Sequence, residues 1–229
     1  MSTAENVQAP VPQVSSFKMI YTLGGVAMVS GFLLVLVFQA TEGRIAANKK
    51  AAIERAVFQV VPGAEQRRSF QIVDGDVALL PEGEAATGTV FYGGYDASGA
   101  LLGVALPASS QGYADIVKVL YGYDPNTETV IGMTVLESKE TPGLGDKIAK
   151  DPRFQENFAA LDVKLNEVGD GLANAVVTVK NGAKEHPWEI DGIAGATISS
   201  KTVGRAMNAS ASELLPIIRK NLDVLKAEQ

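Results

Sequence analysis

The chain opens its regular pattern with the uncharged run "MIYTLGGVAMVSGFLLVLVFQA", Met19 to Ala40. As a helix this run is roughly 33 Å long, enough to cross a bilayer with slight tilt. It exceeds a signal-peptide core and no small-x-small cleavage site closes it, so the pattern predicts an uncleaved anchor. Ala27 and Gly31 have the small-xxx-small spacing that lets another helix approach. From Thr41 to Val61 the apolar residues Ile45, Ala46, Ile53, Val57 and Val60 recur near helical spacing, and Pro62-Gly63 ends the run. This segment is expected to carry the membrane helix on into water and to hold the next domain close to the bilayer.

Strand periodicity takes over between Ser69 and Val135. "SFQIV" and "DVALL" flank Asp74-Gly75, a hairpin signal. Two later stretches resemble each other. "FYGGYDASGALLGVAL" (Phe91–Leu106) and "VLYGYDPNTETVIGMTV" (Val119–Val135) each read strand, turn, strand. In both, Gly-Tyr-Asp opens the turn and a glycine, Gly103 or Gly132, sits in the return strand. Either a duplicated hairpin or convergent turn chemistry gives that pattern, and both predict one antiparallel sheet.

Beyond the sheet, "DPRFQENF" (Asp151–Phe158) predicts a short helix with Phe154 and Phe158 on one face. "ANAVVTVK" (Ala173–Lys180) predicts a strand. Ser199–Leu225 predicts a long amphipathic helix, interrupted or bent near Pro216. The expected fold class is α+β: a single N-terminal transmembrane helix, then an antiparallel sheet packed by helices. The expected segments are a short polar tail over 1–18 with Pro10 and Pro12, the span 19–40, a membrane-proximal helix 41–63, and a folded domain 64–229.

Composition narrows the chemistry. The 229 residues include no cysteine and one histidine, His186. Disulfides, thiolate metal sites and cysteine nucleophiles are excluded, and little remains for a zinc site or a Ser-His-Asp triad. A net charge of −6 argues against nucleic acid, which needs a basic face. No catalytic residue and no metal ligand is expected, so chemistry here calls for a cofactor.

Two glycine-bearing stretches are candidates for holding one. In "ESKETPGLGDK" (Glu137–Lys147), Pro142-Gly143 and Gly145 make a tight loop with Leu144 as an apolar finger between them. The plain alternative is an ordinary strand-to-helix loop. In "DGIAGATISSK" (Asp191–Lys201), Thr197 stands just before Ser199-Ser200, which are N-cap candidates for the last helix. A phosphate there would meet free amides and the positive end of the helix dipole. Gly195 and Ala196 keep bulk from the threonine hydroxyl, and Lys201 adds a cation. Capping alone would explain the serines.

Taken together, "VFQVVPGA", "GYADIVKVLYGYD", "ESKETPGLGDKI" and "DGIAGATISS" resemble, in order, the membrane-anchored FMN-binding domain of the G subunit of the Rnf electron-transport complex. The C subunit of the sodium-translocating NADH:quinone reductase is a relative of that domain. "GYADIVKVLYGYD" looks like that family's Gly-Tyr strand, and the last motif looks like its flavinylation motif. The resemblance implies one FMN per chain, joined through its phosphate to Thr197 by a flavin transferase that uses FAD and magnesium. Asp191, Gly195 and Ala196 would frame recognition. Glu140, Thr141, Gly143 and Leu144 would border the isoalloxazine ring, with Leu144 on its face. Lys180 is the candidate cation near the flavin pyrimidine, its alternative being a solvated strand-end lysine. Trp188 would either cover the ring or sit in the core. One departure is Ala194, where the family usually has serine or threonine.

The function implied is an electron-carrying subunit of a membrane-bound ion-translocating ferredoxin:NAD+ oxidoreductase, with the other subunits as partners. The alternatives are the quinone-reductase C subunit, and a membrane-tethered binding domain whose flavin site has decayed. The resemblance also implies a single-pass protein of the bacterial inner membrane with a cytoplasmic tail and a periplasmic domain. Charge points the other way: Lys18 precedes the span, whereas Arg44, Lys49, Lys50 and Arg55 follow it, which favours a cytoplasmic domain.

Overall fold

The computed structural model describes residues 15–81 and 83–227. The tail expected over 1–18 lies outside the described residues up to position 14. The chain divides into two units, Met1–Lys50 and Ala51–Gln229. Helix α1 spans Ser16–Val60, and its N-terminal part is long and apolar enough to cross a membrane. Pro62 and then Gly63, at φ +85, end it.

Six of the strands follow one another closely, and every pairing in the main sheet is antiparallel. Its strands are β1 (Gln66–Val73), β2 (Asp76–Leu79), β3 (Thr89–Tyr95), β4 (Leu101–Gln111), β5 (Ile116–Asp124), β6 (Thr129–Glu137) and β7 (Leu161–Asp162), in the order β2-β1-β3-β4-β5-β6-β7. The β1–β2 turn has Asp74 and Gly75 both at positive φ, +52 and +87, the conformation that makes Asp-Gly a tight hairpin turn.

The two similar hairpins share geometry as well as sequence. Each has a bulge just after the glycine of its Gly-Tyr-Asp, between Gly94 and Tyr95 and between Gly122 and Tyr123. Each places glycine across from glycine, Gly94 with Gly103 and Gly122 with Gly132. In each turn the aspartate accepts the amide two residues on: Asp96 from Ser98 and Asp124 from Asn126, both at 2.8 Å.

Those paired glycines have a use. Val61 comes against Gly94 and Gly103, and the Val60 backbone against Gly122 and Gly132, so the end of α1 sits where side chains are missing. Ala56, Val57, Val60 and Val61 cover Ala105 and Leu120 there, with Ile53 alongside, and close the outer face of the sheet.

The other face carries the main core. Phe70 stacks on Phe91 at 5.5 Å, and Val104, Leu106, Val119 and Tyr121 meet Val203, Met207, Leu214 and Ile218 of α4 (Thr197–Lys220). Two short helices follow β6, α2 (Lys147–Lys150) and α3 (Pro152–Glu156). Asp151 caps α3 by accepting from Arg153; the helix is shorter than expected, ending at Glu156, and Phe154 meets Phe158 edge-on from the turn beyond it.

Several expectations need correction. The strand expected over Ala173–Lys180 is only β8 (Val177–Val179), because its one partner among the described residues is the equally short β9 (Glu189–Asp191), in parallel. Gly112 and Tyr113 lie in the β4–β5 turn and not in a strand. Ser199 and Ser200 are not caps. The helix begins at Thr197 with Ala196 as N-cap, and both serines are buried in its first turns. Pro216 does not interrupt α4, which runs to Lys220 before Asn221 separates it from α5 (Leu222–Lys226). Trp188 is neither core nor part of the clefts described below; it is half-buried and stacked on His186 at 4.6 Å.

Candidate functional site

Two distant glycine-bearing loops meet at one cleft. The first is the turn Thr141-Pro142-Gly143-Leu144, where the Leu144 amide donates to the Thr141 carbonyl at 3.1 Å. Proline in second place and glycine at φ +78 in third make this a type II turn. Asp146 accepts from the Gly143 amide at 2.7 Å and holds the turn closed. Leu144 is thereby pushed into solvent, 52 % exposed.

The second is the loop before α4. Gly195 is at φ +81, and a β-carbon there would meet nothing within 4 Å. Backbone conformation, not crowding, is what demands glycine at this position. Ala196 is buried in the core, so its small size serves packing as well. Ser200 fastens the loop from inside: its hydroxyl accepts from the Ile193 amide at 3.0 Å and donates to the Ala196 carbonyl at 2.9 Å. Thr197 is left exposed at the head of a 24-residue helix. The amides of Thr197, Ile198 and Ser199 have no acceptor within the helix.

Between these loops lies a cleft of about 460 Å³, lined by Tyr113, Glu140, Thr141 and Leu144 on one side and Gly195 to Ser199 on the other. A second cleft of about 320 Å³, lined by Thr178 to Asn181, Gly192 to Ala194, Thr197 and Ser200, opens on the far side of the same threonine. Thr197 is common to both. Of the residues expected from sequence, Glu140, Thr141, Leu144, Gly195, Ala196 and Thr197 come together at the first cleft. Lys180 is at the second. Gly143 and Asp191 line neither. Asp191 works behind the site, accepting from the Gly182 amide at 2.7 Å to fix the β8–β9 connection. Lys201 lines neither cleft.

Sequence reasoning did not expect Tyr113, Ile198 or Ser199 to line the site. Tyr113 is 70 % exposed and Ile198 51 %, and with Leu144 they give the first cleft an apolar, partly aromatic rim. Large apolar side chains held in water at the edge of a concave site are the available signal. Such a rim suits a flat aromatic ring, and the helix start beside it suits a phosphate. The donor set therefore fits a flavin mononucleotide.

Residues 112–212 match the family model described as FMN-binding domain. That stretch contains the Gly112-Tyr113 turn, the Pro142-Gly143 loop and the start of α4, the three pieces of the cleft. That stretch is similar to an FMN-binding domain. Over 193 residues it is 28 % identical to the G subunit of the ion-translocating oxidoreductase complex of Methanosarcina acetivorans, covering 84 % of this chain and 91 % of that one. Over 115 residues it is 36 % identical to the C subunit of the Na(+)-translocating NADH-quinone reductase of Haemophilus ducreyi, covering 47 % and 40 %. In fold, the chain is similar to the solved structure of NqrC from Shewanella oneidensis. The TM-score is 0.58 at 20 % identity, covering 80 % of this chain and 100 % of that one.

Proposed function

We propose that the chain is the FMN-carrying subunit, of the G type, of a membrane-bound ion-translocating ferredoxin:NAD+ oxidoreductase, with the flavin esterified to Thr197. It works as an electron carrier within that complex, alongside the other subunits, and has no turnover of its own. The observation that carries this reading is the place of Thr197: an exposed hydroxyl at a helix start, shared by two clefts, inside the stretch that matches the FMN-binding domain model. In maturation a flavin transferase acts on FAD: the Thr197 hydroxyl forms the new bond to the FMN phosphorus, and the diphosphate bond of FAD breaks. AMP leaves, and the hydroxyl proton is released.

Once attached, FMN supplies the redox chemistry, taking up and passing on electrons. The protein's part is to hold and bias it. Amides at the start of α4 hold the phosphate, and Leu144, Ile198 and Tyr113 keep water from the ring. Lys180 lines the second cleft, across Thr197 from the rim proposed for the ring. The bacterial inner membrane holds α1, and the domain stands in the periplasm. Reporter fusions at the C-terminus that are active only in the cytoplasm would reverse that orientation.

Coexpression with a flavin transferase, followed by a denaturing gel, tests the reading. The wild-type band fluoresces yellow-green and the Thr197→Val band is dark. Two dark bands would favour a tethered domain with a decayed site, for which Ala194 is the one pointer. The likeness to a quinone-reductase C subunit in fold and sequence supports a second assignment. Proteins recovered with the tagged chain from its native membrane decide between the two complexes.

A further inference from the structure

At the foot of the first cleft one carboxylate does more than line it. Glu140 is 6 % exposed. Its Oε1 accepts from the Tyr113 amide at 2.8 Å and the Ala114 amide at 3.1 Å, both in the β4–β5 turn. Its Oε2 accepts from the Ser199 hydroxyl in the first turn of α4. All three partners donate, so the side chain serves as an acceptor in each contact.

Two glycines make room for it. A β-carbon at Gly145 would lie 2.7 Å from both Glu140 Oε2 and Ser199 Oγ. A β-carbon at Gly112 would run into Glu140 Oε1 and the Asp115 carbonyl. Three stretches distant in sequence, Gly112-Tyr113, Glu140 to Gly145 and Thr197 to Ser199, therefore converge on one side chain.

We propose that Glu140 is the positioning residue of the cleft: it locks the Tyr113 turn and the first turn of α4 into one frame, so that the Tyr113 and Ile198 walls stay at a fixed separation across a bound ring. It acts through the walls and not by contact with a reacting atom. This inference rests on the flavin reading for the identity of the ring, but the locking itself is tested without flavin.

The experiment is amide hydrogen exchange on the full chain in detergent, produced without transferase, for wild type, Glu140→Ala, Glu140→Gln and Gly145→Ala. Glu140→Ala deletes the lock. Gly145→Ala keeps the carboxylate and forces it aside. Both are expected to speed exchange at Tyr113 and Ala114 at least tenfold while β3 amides stay as in wild type. Glu140→Gln keeps the shape and an accepting oxygen, and is expected within threefold of wild type. A smaller rise in Gly145→Ala, or in Glu140→Ala where it folds, overturns the proposal, as does failure of Glu140→Gln to restore protection. In transferase-treated protein the fluorescence anisotropy of the flavin should fall in Gly145→Ala and recover in Glu140→Gln. An anisotropy equal to wild type in Gly145→Ala also overturns it. A wild-type chain that takes up no flavin refutes the flavin reading instead, and leaves the exchange result to decide the role of Glu140.

Discussion

Gly122→Ala tests how the outer face of the sheet is closed. The added β-carbon would stand 2.7 Å from the carbonyl carbon of Val60, and closer still to its oxygen. The obstacle is backbone at the end of a helix, so no side-chain rotation relieves it, and α1 must lift from its seat. Overpacking of this kind costs up to about 3 kcal/mol. Replacing a strand glycine by alanine returns about 0.5–1 kcal/mol of backbone entropy. The net loss is about 2 kcal/mol, which for a domain of this size lowers Tm by about 4–8 °C.

Gly103→Ala is the control. Its β-carbon would come 3.0 Å from the Tyr123 carbonyl oxygen but otherwise meets the tips of Val61 and Ile131, at 3.2 and 3.3 Å, which can shift. It should be close to neutral. Thermal unfolding followed by fluorescence of Trp188, the chain's single tryptophan, reports on this domain. If Gly122→Ala melts no lower than Gly103→Ala, the seating of α1 on the paired glycines is wrong.

Gly195→Ala should lose about 1 kcal/mol, the cost of a β-carbon in the left-handed region, with no clash to add to it. Urea unfolding that shows no loss would mean the loop adopts another conformation. Alkaline pH gives a second test. Burial, with help from the nearby Glu128 carboxylate, pushes the Tyr123 phenol up to about 12, and burial raises Tyr121 as well. The unfolded chain loses these protons near pH 10 while the folded one keeps them. The stabilisation is therefore complete below about pH 10 and declines as pH rises toward 12. Urea midpoints between pH 9 and 11.5 should fall, and Tyr123→Phe should make the fall shallower.

Much of this architecture is legible in the sequence because its signals are local. The apolar run of α1, the Asp-Gly turn, the two Gly-Tyr-Asp hairpins and the Phe154/Phe158 pair each act within a few residues, and each is where periodicity puts it. What the sequence conceals is tertiary. Ser199 and Ser200 have the chemistry of caps, yet burial against Glu140 and against the Ile193–Ala196 loop draws them inside the helix. Pro216 has the chemistry of a break, yet packing of Leu214, Leu215 and Ile218 carries the helix through it. Glu140 reads as one polar residue of a loop; only the fold supplies the turn amides and the serine that converge on it. Tyr113 and Ile198 are ordinary letters until the chain brings them to one rim.

The Ser200 tether has a consequence for the flavin attachment proposed at Thr197. With the Ile193 amide and the Ala196 carbonyl both held by one buried hydroxyl, the acceptor segment is already a set knuckle when the domain folds. A flexible acceptor peptide would have to be ordered by its modifying enzyme, at an entropic cost for each residue fixed. Here that ordering is complete before encounter, as in a protease inhibitor's binding loop. On the proposed linkage at Thr197, flavin attachment would thus be a reaction of the folded protein, and an unfolded or truncated chain bearing the same eleven letters would be a poor substrate.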